Sequence, residues 1–521
     1  MLIPITLTII FSAVALLLAA MLAWKAWRLK NPVDQSDAES IPREFGPAAT
    51  NRWLYGMRAF LLFMIAAVFG VHCYWVFSAG SDPNSEFSRA RRMDTRNIRL
   101  AESGLKGWMF DRTGKLENAL IRYRYDAGAI TRDYPLGAAA VHITGYSDYT
   151  FGSGGMEYAF RKWLNQPASG SSSLSSPVPV GQDLKVSIDS ALQREVFNQL
   201  QKTGKPSAAV VLLVQDNEIL SLASSPSFEP RSVSDEDTWE RLTEQADSTP
   251  ELSPLVDRAL GTVVTGGPAL YYRPGSTFKT FIAAVAIENG MTNERFTCRA
   301  DGFTPPGSGR PVRDYEGEVH GTIGFRDAFR LSCNQYFAQL GLKLGKERLA
   351  DYARRMGFAS DPKDGRRLAD KIWDVAHGDQ ADFNFIFAPP IPRMNLSREA
   401  SNYDIALESF GQGYDDMTVF EMALLASAAA NPKGLLIAPT FEVGIQPKIF
   451  GQFISEKSAG ELRQLMKLVV ESGTAAGAFA PLRGRMSAAG KTGTADRIVP
   501  VYDKDGEPVV EYVDKSGQTH Y

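Results

Sequence analysis

Residues 273–279 have the sequence Arg273-Pro274-Gly275-Ser276-Thr277-Phe278-Lys279. This stretch opens a predicted helix over residues 277–289, which ends at Gly290. The helix is apolar nearly all round, and a helix of that kind is buried. The apolar positions include Phe281, Ile282, Val285 and Ile287. The sequence therefore predicts an internal helix with a serine and a lysine at its beginning.

Ser276 and Lys279 have the spacing of a nucleophile and its base. Residues three apart share one helix face, and the unpaired N–H groups of a helix N-terminus can stabilise an oxyanion. Burial favours the neutral form of a lysine, which can then take the serine proton. The same Ser-x-x-Lys pattern recurs at residues 103–106 and 360–363. There a Gly and a turn-like Asp-Pro follow the serine, so the context selects Ser276.

Two later clusters offer further polar groups. Ser332 could relay a proton and Asn334 could hold a substrate amide, although in isolation both are ordinary residues at a helix end. Residues 490–495, Gly-Lys-Thr-Gly-Thr-Ala, supply a cation, two hydroxyls and a Gly at which a substrate backbone could approach a strand edge. A phosphate-binding loop would need Gly at position 485, which is Arg485.

Composition excludes several classes of protein. The 521 residues include 56 Lys and Arg against 59 Asp and Glu, which argues against a nucleic-acid binder held by a basic face. With 22% charged and 11% aromatic residues, the composition argues against disorder. Three Cys are too few for a disulfide framework, and no C-x-x-C or H-E-x-x-H spacing supports zinc. Cys298 and Cys333 could pair, but a free buried thiol is the default for each.

Periodicity predicts a mixed α/β domain. We expect a helix over 189–200, strands over 209–214 and 219–224, and helices over 277–289, 347–355 and 417–430. Strands return after Ser487. Strands, then helices, then strands are typical of an α/β sandwich whose sheet is closed by a late segment.

The three clusters together resemble the active-site motifs of class B penicillin-binding proteins, in family order and spacing. The motifs are Ser276-Thr277-Phe278-Lys279, Ser332-Cys333-Asn334 and Lys491-Thr492-Gly493-Thr494. Shorter matches include Tyr134-Pro135-Leu136-Gly137, Gly154-Gly155-Met156-Glu157 and Gly411-Gln412-Gly413. The resemblance extends from about Gly107 to Ala495.

This resemblance implies a penicillin-binding transpeptidase domain with a five-stranded sheet flanked by helices. It implies a serine D,D-transpeptidase that cross-links peptidoglycan stem peptides through an acyl-enzyme on Ser276 and is inhibited by β-lactams. Lys279 would be the base, and no metal or organic cofactor is implied. The remaining implied catalytic residues are Ser332, Asn334 and Lys491. The implied substrate-binding residues are Thr492, Gly493 and Thr494, with the N–H groups of Ser276 and Thr494 as the oxyanion hole.

The chain departs from the family pattern after the third motif. Family members usually continue through two more sheet strands and a C-terminal helix, whereas 27 residues follow Thr494. Residues 499–502 and 509–513 predict one hairpin before a polar tail. We therefore expect a catalytic domain that is incomplete at its C-terminus.

The N-terminal part predicts membrane anchoring. Residues 2–24 contain no charged side chain and are long enough to span a bilayer, and residues 59–80 repeat the pattern. Basic residues adjoin both spans in the intervening loop, residues 25–58, which favours a cytoplasmic loop. The prediction is a two-pass plasma-membrane protein whose catalytic domain lies outside the cytoplasm.

The remaining chain divides into a small pedestal domain at 81–166, a Ser/Pro linker at 167–181 and the transpeptidase domain at 182–521. The pedestal resembles the part by which such proteins engage a polytopic peptidoglycan glycosyltransferase, and it is too short to be a glycosyltransferase itself. Two alternatives stay open, a non-catalytic β-lactam sensor that signals through its helices and a D,D-carboxypeptidase.

Overall fold

The computed structural model describes residues 47–74, 105–126, 129–148, 150–166, 181–264, 270–359, 387 and 389–495, with four two-residue strands beyond residue 500. The chain forms two compact units, Met1–Arg92 and Met93–Tyr521.

The described residues of the first unit form one helix, α1 (Pro47–Tyr74). The predicted span at 2–24 lies outside the described residues, and the span at 59–80 overlaps α1. In the described part of the chain, no helix has both the length and the apolar character needed to cross a membrane.

The second unit combines helices with short sheets. Its helices are α2 (Val141–Thr144), α3 (Gly155–Ala159), α4 (Arg161–Leu164), α5 (Ser190–Lys202), α6 (Glu236–Ser248), α7 (Lys279–Glu288), α8 (Phe325–Leu331), α9 (Asn334–Leu344), α10 (Lys346–Arg355), α11 (Asn402–Glu408), α12 (Val419–Ala430), α13 (Glu456–Ser472) and α14 (Ala476–Phe479). Side chains cap several of them. Asp189 accepts the N–H of Leu192 at the start of α5, and Thr418 and Glu421 form a capping box at the start of α12.

The strands are β1 (Met109–Phe110), β2 (Ala119–Asp126), β3 (Ala129–Asp133), β4 (Ser147–Asp148), β5 (Gly152–Ser153), β6 (Leu184–Lys185), β7 (Ser207–Leu213), β8 (Glu218–Ser225), β9 (Val256–Asp257), β10 (Thr262–Val263), β11 (Arg295–Cys298), β12 (Gly321–Gly324), β13 (Leu435–Ile437) and β14 (Ile449–Gln452). One sheet has the order β3-β2-β1-β6. Its β1 and β6 pair in parallel, so strands from both sides of the predicted 167–181 linker share a sheet.

The predicted five-stranded sheet is wrong for the described residues. There, β7 pairs only with β8, and residues 491–495 form no strand. A further strand beside β7 would have to form a hydrogen-bonded ladder with it. That side of β7 borders a cavity of about 370 Å³, whose lining includes Val210, Leu212, Met466 and Ala489. The mixed α/β class is confirmed, with α5 packed on β8 and α12 on β7.

The predicted internal helix is confirmed. It begins as a 3-10 turn (Gly275–Phe278) and continues as α7, in which every residue from Lys279 to Ile287 is buried. Phe281 stacks between Phe278 and Phe453 at centroid distances of 5.0 and 5.8 Å. The helices predicted at 189–200, 347–355 and 417–430 correspond to α5, α10 and α12.

The C-terminal residues form two strand pairs in place of the predicted single hairpin. Strands β15 (Val501–Tyr502) and β16 (Pro508–Val509) pair as expected. Strand β17 (Tyr512–Val513) instead pairs with β18 (Thr519–His520), because the polar tail supplies a partner of its own.

Packing around α7 predicts a clear difference between two leucine truncations. Leu340 of α9 is fully buried in the core around α7, so Leu340→Ala should lower the free energy of unfolding by about 3–5 kcal/mol. Leu116 is 61% exposed, so Leu116→Ala should change it by less than about 0.5 kcal/mol. Urea denaturation of both variants checks this expectation, and equal losses would contradict it.

Candidate active site

Backbone groups pack on two sides of the 3-10 turn that carries the predicted nucleophile, Gly275–Phe278, here called the nucleophile turn. Gly275 has φ +55°, and its N–H donates to the carbonyl of Gly411 at 2.9 Å. A Cβ on Gly275 would lie 2.4 Å from the carbonyl oxygen of Thr494. A side chain is therefore excluded at Gly275 both by conformation and by space. This close contact brings the third motif against Ser276.

Lys279 lies at the centre of the site. It is fully buried, and its Nζ lies 2.9 Å from Ser276 Oγ, 2.6 Å from the Ser332 carbonyl oxygen and 2.7 Å from Asn334 Oδ1. The Ser332 hydroxyl is 3.2 Å away. The predicted nucleophile, relay and amide therefore all lie within hydrogen-bond distance of the nitrogen of the predicted base.

Burial favours the neutral form of the Lys279 amine. Desolvation lowers the pKa of Lys279 well below its usual value, and the charge of Lys491 lowers it further. An ammonium has three N–H bonds and no lone pair, whereas a neutral amine can accept the hydroxyl proton of Ser276. The environment thus favours the form of Lys279 that can act as a general base.

Ser332 occupies an unusual backbone position. It ends α8 in the left-handed conformation, with φ 64°, which is uncommon for a residue other than Gly. The next residue, Cys333, donates its N–H to the Ala328 carbonyl at 2.9 Å and caps α9. The sharp turn between the two helices aims the carbonyl and the hydroxyl of Ser332 at Lys279.

Lys491 approaches Ser332 from the other side. Its Nζ donates to Ser332 Oγ at 2.8 Å and to the Thr492 carbonyl at 2.8 Å. Burial lowers the pKa of Lys491 to about 7. The Ser332 hydroxyl therefore lies between two lysine amines, which is the arrangement that a proton relay requires.

The three predicted substrate-binding residues have different surroundings. Thr494 abuts Gly275 through its carbonyl, and Gly493 packs on Thr277, where an added Cβ would lie 2.7 Å from Thr277 Cγ2. The hydroxyl of Thr492 instead contacts that of Thr474. The structure thus places Gly493 and Thr494 beside the nucleophile, whereas the Thr492 hydroxyl is engaged by the segment after α13.

The C-terminal end of α13 connects the second and third motifs. Arg330 of α8 donates to the Ser472 carbonyl at 3.0 Å, two residues before Thr474 reaches Thr492. Gly490 donates its N–H to the Met466 carbonyl of α13 at 3.2 Å. The third motif is therefore held by α13 rather than by a sheet ladder.

Four side chains next to the second motif could hold a metal ion. Cys298, Asp314, His320 and Cys333 place one donor atom each within 4.8 Å of one another. The two Sγ atoms are 2.6 Å apart, and both cysteines are free and buried. His320 Nδ1 lies 3.7 Å from Asp314 and has no hydrogen-bond partner among the described residues. Two thiols, an imidazole and a carboxylate are donor types that occur in Zn²⁺ sites, but a tetrahedral Zn²⁺ ion would hold the two sulfurs about 3.8 Å apart, farther than they lie here.

The sequence predicted no such cluster, because it contains no C-x-x-C or H-E-x-x-H spacing. The four donors come instead from β11, two loop positions and the start of α9. Cys333 stands between Ser332 and Asn334, so an ion bound to the cluster would also hold the second motif in place. Asp314 further accepts the N–H of Asn334.

Several residues that shape the site gave weak signals in the sequence. Gly411 belonged to a short matching motif, but its contact with Gly275 could not be foreseen. Phe410 and Phe337 place their rings 5.9 and 5.7 Å from Lys279 Nζ. No motif marks either phenylalanine, because a buried ring is ordinary in any core.

Curated relatives of this chain include two peptidoglycan D,D-transpeptidases. The peptidoglycan D,D-transpeptidase PbpA of Mycobacterium tuberculosis is 32% identical over 197 residues, which are 36% of this chain and 38% of that protein. The peptidoglycan D,D-transpeptidase MrdA of Acinetobacter baumannii is 27% identical over 333 residues, 60% of this chain and 44% of that protein. The chain thus spans less than half the length of either relative.

Solved structures agree on the fold. The D,D-transpeptidase domain of a peptidoglycan glycosyltransferase from Eggerthella lenta matches with a TM-score of 0.58 and 26% identity, over 76% of this chain and 88% of that one. Penicillin-binding protein A of M. tuberculosis, as an imipenem acyl-enzyme complex, has the same fold at 22% identity, with a TM-score of 0.57 over 71% of this chain and 83% of that one.

The family profile of the penicillin-binding protein transpeptidase domain matches residues 207–519, more than half of the chain. This range contains Ser276, Lys279, Ser332, Asn334 and Lys491, whose polar atoms meet at one point. The chain therefore belongs to the penicillin-binding protein transpeptidase family.

Proposed function

We propose that the protein is a membrane-anchored serine D,D-transpeptidase that cross-links peptidoglycan stem peptides through an acyl-enzyme on Ser276. The contact that carries this proposal is the 2.9 Å approach of the buried Lys279 Nζ to Ser276 Oγ. A serine with an unprotonated amine at this distance is an activated nucleophile.

In the first half-reaction, Ser276 Oγ attacks the carbonyl carbon between the two terminal D-Ala residues, and Lys279 takes the hydroxyl proton. The tetrahedral intermediate collapses with cleavage of the peptide bond. The proton passes to the leaving D-Ala amine through Ser332, whose hydroxyl lies 3.2 Å from Lys279 and 2.8 Å from Lys491. D-Ala departs, and the donor stem stays esterified to Ser276.

In the second half-reaction, an amine of a neighbouring stem attacks the ester. Lys279 accepts a proton from that amine, and Ser276 regains its proton as the new amide forms. The N–H groups of Ser276 and Thr494 would stabilise the oxyanion in both steps. Lys491 and Thr494 would hold the terminal carboxylate of the donor, and a β-lactam would acylate Ser276 as a mimic of that donor.

Membrane anchoring and a polytopic glycosyltransferase partner are part of the proposal. The large apolar side chains of α1 are exposed within the described structure, and exposed apolar side chains favour an apolar environment such as a membrane around that helix. They are Phe60, Leu61, Leu62, Phe63, Ile65, Val68, Phe69 and Val71. The catalytic domain would then act outside the cytoplasm at the plasma membrane.

Replacing the nucleophile should abolish acylation. We expect Ser276→Ala to lose covalent labelling by fluorescent penicillin, because it removes the hydroxyl that lies 2.9 Å from Lys279 Nζ. The Ser332 hydroxyl, at 3.2 Å, is assigned to proton relay and should not replace it. Ser360→Ala, which changes the other Ser-x-x-Lys pattern at residues 360–363, should label like the natural protein. Equal labelling of the Ser276→Ala protein would contradict the assignment of the nucleophile.

Lys491 should contribute to the decline of acylation at alkaline pH. Its pKa of about 7 means that the positive charge that would attract the antibiotic carboxylate is lost as the pH rises above 7. The second-order acylation rate constant should then fall by up to about tenfold per pH unit. Lys491→Arg keeps the charge, so its decline should begin at higher pH. Identical pH profiles for the two proteins would contradict this role.

Product analysis separates the enzyme from its alternatives. The full chain, with its glycosyltransferase partner and lipid-linked precursor in vesicles, should form dimeric stems that disappear in the Ser276→Ala protein. Shortened monomeric stems alone would identify a D,D-carboxypeptidase. Acylation by penicillin without any change in the stems would identify a sensor.

A further inference from the structure

Two buried carboxyl groups lie at the ends of a short loop beside the nucleophile turn. Glu408 ends α11, and Asp415 follows the loop of residues 409–414; both side chains are fully buried. Glu408 Oε1 accepts the N–H of Tyr414 at 2.7 Å. In the described structure, Glu408 Oε2 and both Asp415 oxygens have no N–H or O–H donor in good geometry. Buried polar atoms without donors require a physical explanation.

The two carboxyl groups face each other and are within hydrogen-bond contact. Two ionised carboxylates cannot form this bond, because neither has a proton to donate. Burial raises the pKa of both groups, and the charge of Glu408 raises the pKa of Asp415 further. The pair is therefore expected to hold one proton at neutral pH.

Other charged groups around the pair do not replace that proton. The charge of Arg273, in the segment before Ser276, favours ionisation of Asp415, whereas Asp416 and Asp404 oppose ionisation of the pair. The backbone N–H of Asn395 favours the Glu408 carboxylate. Arg393 acts on Asp416. These influences act in opposite directions on the two carboxyl groups.

The loop that the pair closes makes direct contact with the catalytic groups. Gly411 accepts the N–H of Gly275, and a Cβ on Gly411 would lie 1.9 Å from the Gly275 carbonyl oxygen. The ring of Phe410 lies 5.9 Å from Lys279 Nζ. Beyond the loop, Met417 and Tyr272 exchange backbone hydrogen bonds of 2.7 and 3.0 Å. The loop therefore braces the segment directly before Ser276 and also contacts its base.

We propose that Glu408 and Asp415 are positioning residues for Ser276: a carboxylic acid–carboxylate hydrogen bond between them holds the loop of residues 409–414 closed against Gly275. This inference rests on the proposed function, since it concerns the placement of the nucleophile for acylation. It adds a requirement for one proton that is remote from the reacting atoms.

The test measures acylation by fluorescent penicillin from about pH 5.5 to 9. The limiting rate constant and the half-saturating concentration are determined separately on the full chain. Asp415→Asn and Glu408→Gln supply an N–H donor that needs no proton, so either variant should keep the limiting rate within roughly twofold at pH 6. Asp415→Ala leaves Glu408 without its donor and should lower that rate by about tenfold or more, with little change in half-saturation.

The pH profile distinguishes positioning from general stability. A raised carboxyl pKa means that the proton is present at low pH and is lost as the pH rises, so part of the alkaline decline should belong to the pair. The amide variants should lose that part, whereas the contribution of Lys491 is common to all the proteins compared. Asp257→Asn is the matched control. It changes a buried carboxyl that accepts the N–H groups of Ala259 and Leu260, and it should leave the profile unchanged.

The outcomes are distinct. Superimposable profiles for the natural protein and both amide variants would overturn the positioning role, even if Asp415→Ala fails to fold. If the natural protein is not acylated at all, both this inference and the proposed function are wrong. If it is acylated and the amide variants behave identically to it, only the inference fails.

Discussion

The site depends on keeping one amine inside the core. Isolated from water, the Lys279 ammonium would be costly, and four oxygen contacts and two aromatic rings surround its nitrogen. The apolar character of α7 is what makes the position dry. The same burial that lowers the pKa of the lysine also requires the two serines and the asparagine to lie where they do.

The electrostatics of the site are balanced between opposing charges. Lys491 disfavours the charged form of Lys279, while Asp314 and the two nearby thiols favour it. Ser332 stands between the two amines with a single proton to donate. A change in any of these groups is therefore expected to alter the balance between the charged and neutral forms of Lys279.

The sequence was most informative where geometry is local. Ser276 and Lys279 are three residues apart on one helix, and β7 and β8 are two short apolar runs joined by a polar turn, so both features could be predicted. The sheet was overestimated because ladder pairing is a property of distant segments. The four potential metal donors were missed for the same reason, since they are spread over residues 298–333 and form no short ligand motif.

The Glu408 and Asp415 pair shows another limit of prediction. Acidic side chains are normally exposed, and nothing in the residue order indicates that these two face each other in a dry interior. The short matching motif 411–413 indicated that the loop mattered. It could not show that a glycine backbone lies against the nucleophile turn, because that contact joins segments more than 130 residues apart.

The contacts at the end of α13 have one more consequence. Ser472 binds α8 through Arg330, and Thr474 binds the third motif through Thr492. Two segments of the site are therefore attached to the same helix end. Because both segments are attached to the same helix end, a displacement of that end would move Ser332 and Lys491 in the same direction. The 2.8 Å distance between Ser332 Oγ and Lys491 Nζ can then survive motions that would separate two independently attached walls. The spacing between these two side chains is therefore set by one helix end and not by two separate attachments.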